Sequence, residues 1–517
     1  MEFDWDVVIV GCGPVGAYAA NQLGQHGLRT LVVDRDVVPY DLPRAVHIDH
    51  EMVRLLADVG LRDAMMPLMR AGDGHIHIGA DGGVIRYLSV RDDKPPFGYA
   101  NDYFFYQPEL ESVLREGLGR YPHVALQTGR HVDALEPTTE GVTVRFADGN
   151  SARAKWVLGC DGARSTVRKA AGIKLRDMGF EEPWLVVDAE VDGPIHFRPF
   201  WGVPEGANLQ NLSLMMCDPN RPATIVPGRE RHRRWEFMLL PHETEAEITR
   251  PEKIVELLAP WVGDEGHRVI RAATYRFHGL VAEHWQSGRV FLLGDSAHQT
   301  PPFFGQGMCH GLRDAANLGW KLGLVARGVA DAKLLDTYQV EREPQVRHVI
   351  NAAIDAGRYI CELDPDKAVQ RDATLRNRKS IRSAAELIAP ISSRIVIGKA
   401  GQRFINPQIE EGKLLDDISG GGWTLIATSS IEPTREAAAV MEKLNVRPLV
   451  IGVNLNDQSG HLKDWMKSND AVAVLVRPDF YVATVAGSPA ELSASLVALG
   501  QAMTLDLPVS RFAQMSE

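Results

Sequence analysis

Five cysteines, at positions 12, 160, 217, 309 and 361, are all that 517 residues contain, and they form neither a C-x-x-C pair nor a metal-ligand spacing. Their scarcity excludes a disulfide framework, a dithiol redox centre and a zinc ribbon, and no metal is expected. No apolar stretch is long enough to span a bilayer, and the chain enters a hydrophobic strand at Val7 with no signal-peptide pattern before it. A reduced, cytoplasmic protein is therefore expected. Positive charge is also short, with 56 Lys and Arg against 67 Asp and Glu and a net charge of −11. That balance argues against a nucleic-acid binder or a protein drawn to anionic membranes. Hydrophobic content of 45% and charged content of 24% are ordinary for a globular protein, and the length calls for two to four domains.

What the chain does contain is three strand-then-turn segments far apart. Val7-Val8-Ile9-Val10 reads as a buried parallel strand and breaks into Gly11-Cys12-Gly13-Pro14-Val15-Gly16 before a helical pattern. Gly11 permits the tight turn, Gly13 lets backbone approach a pyrophosphate, and Gly16 lets the helix pack closely on the sheet. The helix start, at Pro14 and Val15, offers free N–H groups and a positive dipole end to phosphates. A second apolar run ends in Asp34, placed to accept hydrogen bonds from ribose hydroxyls. These residues predict a bound dinucleotide, FAD or NAD. The second segment is Cys160-Asp161-Gly162-Ala163-Arg164-Ser165-Thr166-Val167-Arg168. The third is Gly294-Asp295-Ser296-Ala297-His298, after Val290-Phe291-Leu292-Leu293.

Together with Gly305-Gln306-Gly307, the three segments resemble the class A flavoprotein monooxygenases, the single-component aromatic hydroxylases of the para-hydroxybenzoate hydroxylase type, over about residues 1–395. Several shorter stretches (Met216-Cys217-Asp218-Pro219, Arg234-Trp235-Glu236-Phe237-Met238, Glu243-Thr244-Glu245 and Arg477-Pro478-Asp479) resemble the subgroup acting on 3-(3-hydroxyphenyl)propionate. The resemblance implies FAD as cofactor, NADH or NADPH and O2 as co-substrates, and a small phenolic substrate hydroxylated ortho to its existing hydroxyl through a flavin C4a-hydroperoxide, in aromatic catabolism. It implies a homodimer with no nucleic-acid or membrane partner. It also implies roles for residues. Asp161 serves the flavin and the nicotinamide nucleotide, Asp295 with Gly294 the ribityl and pyrophosphate, Asp34 the ribose and Arg35 the adenine. Arg44, with Ala45, reaches the cofactor from the loop after the second strand, and Gln107 faces the flavin from a helix start. Gly305, Gly307, Met308 and Cys309 open a helix whose N–H groups stabilise charge on reduced flavin. Cys309 departs from the family, which often has Asn there, so a side-chain contact is in doubt.

For catalysis, Arg44 and Pro302 are expected at the flavin, Pro302 with Phe303 as a rigid apolar wall that keeps water out. His47 falls where the family lines its substrate cavity and is the candidate partner or base for the phenol. Trp235 and Phe237 are expected at the substrate with His47 and Phe303. Arg221, Arg233 and Arg234 are candidates to hold a substrate carboxylate.

The expected fold is α/β, a discontinuous Rossmann-like FAD domain (1–75, 100–180 and 275–395) with an antiparallel-sheet substrate domain (76–99 and 181–274). Past 400, strands near Trp423–Ala427, Leu449–Val453, Ala471–Val476 and Tyr481–Val485 and a helix from Pro489 resemble a thioredoxin-like domain over 400–517, without C-x-x-C and thus without redox exchange. Two alternatives stay open: a hydroxylase of bicyclic or quinolone-like aromatics, and a flavin dehydrogenase. A flavin-dependent halogenase is excluded, because no tryptophan sits in a Trp-x-Trp-x-Ile-Pro motif.

Overall fold

Parallel pairing brings the three motifs side by side. In the computed structural model, which describes residues 3–91, 95–263, 266–377 and 387–505, five neighbouring strands of an eight-stranded sheet, Val290–Leu292, Ser151–Gly159, Trp5–Val10, Thr30–Val33 and Val124–Gln127, run parallel. The first three of these strands end in Gly294-Asp295, Asp161-Gly162 and Gly11 to Gly16, so the motifs share one carboxyl edge. Open α/β sheets bind ligands at that edge. The run Val7 to Val10 is buried on both faces, which is why it reads as continuous rather than alternating. The helix Pro14–Gln25 packs against the long helix Gly307–Ala326.

A second eight-stranded sheet carries Leu175–Val191, His267–Ala282, His232–Met238, Ala223–Pro227, Ser213–Met216, Gly74–Ile78, Val84–Ser89 and the short His298–Gln299. The domain boundaries expected at 180/181 and 274/275 fall inside its two longest strands. These strands pair over most of their length, with a register shift between Asp177 and Glu181, and carry the chain from one sheet region to the other without a linker. Within the expected segments, residues 92–94, 264–265, 378–386 and 506–517 lie outside the described residues. A separate three-stranded sheet holds His47–Asp49, Asp102–Phe105 and Met69–Ala71, with Asp102–Phe105 in the middle.

The C-terminal part has a four-stranded sheet in the order Arg447–Val450, Thr424–Ala427, Ala473–Val476, Val482–Ala486, the first pair parallel and the others antiparallel. One face packs with Trp320 and Leu324 of the long helix, and the other closes over Phe404, Leu462 and Met466. Among the described residues, no helix is long and apolar enough to cross a membrane.

Buried charge fastens this part to the rest. Arg477 donates two hydrogen bonds to Glu341 (2.7 and 2.8 Å) and two to Asp479 (3.0 and 2.6 Å), while Lys321 donates to Glu341 at 2.8 Å. Burial opposes ionising Glu341, but Arg477 and Lys321 outweigh it and hold the carboxyl well below its usual range. Breaking a buried pair on one side leaves the other charge uncompensated. Glu341→Gln is therefore expected to destabilise the protein by about 3–5 kcal/mol, read as a lowered urea midpoint.

Candidate functional site

The glycines at the shared edge are where they are because nothing larger fits. A Cβ at Gly11 (φ +98°) would lie 2.5 Å from the Cys160 carbonyl oxygen, and one at Gly16 would lie 1.9 Å from that of Gly11. A Cβ at Gly311 would meet Val15 at 2.4 Å. By contrast, Gly13 and Gly307 border open space. The turn is thus tight behind and open in front, as a pyrophosphate approaching backbone N–H groups requires.

Around it the expected cofactor residues converge. Asp34 accepts from the Cys12 N–H at 2.8 Å and from Arg115 at 3.4 Å. Gln107 starts the helix Gln107–Gly117, accepts from the Ala45 N–H at 2.6 Å and donates to Glu111 at 2.7 Å. Asp295 opens to solvent on one side and is crowded by protein on the others. That desolvation raises its carboxyl above the usual range, against the pull of His298 and Arg44. Arg44 is itself exposed and lies over the Tyr40 ring at 4.5 Å. Arg35 is exposed and paired with Asp36 at 3.7 Å.

Asp161 is engaged within its own segment. Its oxygens accept from the Ser165 hydroxyl (2.5 Å) and from the Thr166 and Val167 N–H groups (2.6 and 3.0 Å), so its side chain caps the helix Thr166–Ala170. The segment meets the Gly11 turn through backbone instead. Arg168 ties it to the third motif by donating to the Ser296 carbonyl at 3.0 Å.

The residues present form a cradle that fits a flavin dinucleotide, and sequence comparison decides its family. Residues 4–353 match the family model described as FAD binding domain. The chain belongs to the FAD-binding flavoprotein hydroxylases. Residues 401–502 match the HcaD C-terminal domain. The chain is 34% identical to a probable NADH-specific resorcinol 4-hydroxylase of Rhodococcus jostii (strain RHA1), covering 94% of this chain and 93% of that protein. It is 32% identical to a 3-(3-hydroxy-phenyl)propionate/3-hydroxycinnamic acid hydroxylase of Burkholderia cenocepacia (strain HI2424), covering 92% and 93%. Among solved structures, aklavinone-11 hydroxylase in complex with FAD and aklavinone superposes with a TM-score of 0.78 at 25% identity, over 98% of this chain and 100% of that one.

In this hydroxylase, His47 lies against the Gly305 turn (φ +61°), where a Cβ would come 2.6 Å from its Nδ1. Its Nε2 is 3.0 Å from Asp102, whose second oxygen is 3.4 Å from His75. Burial disfavours a charged His47, but Asp102 outweighs it and raises the imidazole above its ordinary value. Two residues on from His47, Asp49 binds Arg313 of the long helix at 2.6 Å, and Arg313 also holds Glu51 at 2.8 Å. The His47 strand is thus pinned to the helix that begins at Gly307.

Phe303 is buried in an aromatic cluster with Phe180, Trp184 and Phe277, ring centroids 5.9 to 6.1 Å away, which anchors the Pro302–Phe304 turn; Pro302 and Met308 are partly open. Cys309 is buried, its thiol 3.7 Å from the Gly305 carbonyl, and burial pushes its pKa up.

Trp235 and Phe237 are both buried. Both pack into the core between the second sheet and the helices Glu245–Ile248 and Pro251–Val262, with Leu185, Val187 and Leu258. Strand side chains alternate, so Arg234 and Met238 lie on the opposite face, where Met238 joins the main hydrophobic core. Arg234 pairs with Asp188 (2.9 and 3.0 Å) and donates to the Pro43 carbonyl at 2.9 Å and to that of Arg44, so it holds the Arg44 loop rather than a ligand. Arg221 is paired with Glu243 at 2.5 and 2.6 Å.

Sequence reasoning missed Asp102, Arg115 and the buried Asp314, which accepts from His298 at 2.7 Å, the Gly294 N–H at 3.0 Å and Arg342 at 3.0 Å. No local motif marks them; each matters through a partner distant in the chain. Gly16→Ala would force its Cβ into the Gly11 carbonyl. It is expected to cost about 1–3 kcal/mol and to reduce the flavin retained per protein after desalting, measured by visible absorbance.

Proposed function

We propose that this hydroxylase inserts one oxygen atom into a phenolic ring next to the existing hydroxyl, using FAD, NAD(P)H and O2, and that His47 is the group that takes or holds the phenol proton. The observation that carries the reading is the His47–Asp102 pair seated against the Gly305 turn, two residues before the helix that opens at Gly307. FAD, when bound, supplies the oxygen activation. It would be held by the Gly11 to Gly16 turn, Asp34, Arg44, Ala45, Gln107, Asp295 and the start of the long helix.

The protein supplies the rest. His47 Nε2 is oriented by Asp102, and proton removal from the phenol makes the adjacent ring carbon more electron-rich. Pro302 and the buried Phe303 cluster make the apolar side of the site and limit access of water. In the C-terminal part, the βαβαββα order, with Arg447–Val450 and Thr424–Ala427 parallel and the last two strands antiparallel, supports a thioredoxin-like domain with a packing role. All five cysteines are free, which supports a reducing, cytoplasmic setting.

NADH and NADPH oxidation by the FAD-loaded enzyme across a panel of phenols, with hydrogen peroxide quantified, tests the reading. Fast oxidation with little peroxide and a dihydroxylated product supports it; peroxide alone on every phenol overturns it.

The pH dependence tests His47. A base must be neutral, so kcat/KM should rise with pH through the raised His47 value, above the ordinary histidine pKa of about 6.5. Asp102→Asn should move that limb to lower pH and reduce the plateau by roughly 100-fold. By linkage, the pair's contribution to folding is full below the unfolded histidine pKa and is lost as pH rises through the folded one.

A further inference from the structure

The face of the second sheet that carries Arg234 and Met238 also carries Glu236, and its surroundings are fixed on three sides. At one end Arg234 is bonded to the Arg44 loop. At the other, Trp184, opposite Met238, meets Phe303 edge-on with ring centroids 5.9 Å apart. Across the sheet the register runs Glu236, Thr224, Met215, His77, and directly opposed residues share a face. His75, two residues before His77 and so on the same face, is 3.4 Å from the Asp102 that holds His47. Glu236 therefore stands on the face bordered by the Arg44 loop, the Pro302–Phe304 turn and the His47 pair.

Nothing in the protein satisfies this acid. Glu236 is buried, yet its carboxyl accepts no hydrogen bond from any described residue. Thr224 stands directly opposite and does not donate to it. Arg234, the cation two residues away, is engaged by Asp188 through two hydrogen bonds of 2.9 and 3.0 Å. Burial pushes the Glu236 carboxyl up to about 7, opposed by Arg234 and reinforced by Asp188. The face is not sealed. Along the strand Arg234, Glu236 and Met238 keep 5, 8 and 6% exposure, against 0 and 2% for Trp235 and Phe237 between them. A buried polar group without a partner is costly, and a ligand or water that completes it removes the cost. A hydrogen-bond donor is what this position lacks.

We propose that Glu236 is a specificity-determining residue, its carboxyl taking a hydrogen bond from a neutral N–H or O–H donor of the aromatic substrate other than the hydroxyl engaged by His47. This rests on the phenol-hydroxylase reading above and adds to it the residue that sorts substrates. A donor completes the carboxyl, and a methyl group of the same size leaves it unpaired. A carboxylate meets a second acid whose neighbouring arginine is already neutralised. Discrimination of this kind is strong, because the wrong ligand leaves a desolvated polar group without its partner.

The test titrates the FAD-loaded enzyme with 3- and 4-aminophenol and with the 3- and 4-methylphenols of the same shape. Kd is read from the perturbation of the bound flavin's visible spectrum, and hydroxylated product is scored separately. At least one aminophenol is expected to bind more tightly than its methyl counterpart, by roughly 10-fold or more. Glu236→Leu should abolish that ratio, with the change falling on Kd and KM for the aminophenol and little on the methylphenol. Glu236→Gln keeps a carbonyl acceptor and should retain part of it. Removing an unpartnered buried acid should leave the urea midpoint unchanged or raise it. If neither aminophenol is preferred, or if Glu236→Leu weakens both members of a pair alike or lowers the urea midpoint, Glu236 is a structural residue and the proposal fails. The spectral titration needs no turnover, so a binding preference without hydroxylated product would overturn the hydroxylase reading alone.

Discussion

The site depends on one steric constraint, the contact of backbone with backbone where three parallel strands end together. The Gly11 carbonyl sits where a Cβ on Gly16 would have to be, and the Cys160 carbonyl sits where a Cβ on Gly11 would be. Val15 of the first turn fills the space left by Gly294 and Gly311. Because these contacts leave no room for side chains, the first helix starts directly beneath the turn and its free N–H groups point into the open edge of the sheet. Every other feature of the cofactor side is arranged around that edge.

The second organising element is buried charge along the long helix Gly307–Ala326. Arg313 near its start joins Asp49 and Glu51, and Glu51 also receives Arg403 from the C-terminal part at 2.9 Å. Asp314 next to it supports His298 and the Gly294 turn, and Lys321 further along enters the Arg477–Glu341 cluster. Such pairs contribute little net energy over well-packed apolar groups, but a single misplaced member leaves a charge stranded. Their effect is to fix how the helix, the His47 strand and the C-terminal sheet sit relative to one another. The His47 imidazole is held to the Gly305 turn by this framework.

The cofactor side was largely legible in the chain, because its signals are local. A β-branched run, a glycine turn and a helix start recur within a few residues, and their physics does not require knowing the partner. The substrate side was much less legible. Trp235 and Phe237 pack with Leu185, Val187 and Leu258, and composition does not say which face of a two-sided sheet a residue takes. The bonds by which Asp161 caps its own helix were not visible in the motif that contains it. Arg234 was read as a carboxylate holder and proved to hold the Arg44 loop, since Asp188 is opposite it in the neighbouring strand.

The sequence by itself determined the nucleotide-binding edge, the FAD-hydroxylase family and the alternation of strands and helices, since each is encoded in contiguous residues by backbone sterics and hydrophobic period. Only the tertiary structure decided that Asp102 stands between His47 and His75, that Glu236 is buried with no hydrogen-bond donor among the described residues, and that the domain boundary runs through continuous strands. Those facts are pairings between segments distant in the chain, and register and burial, which set them, exist only once the sheets have formed.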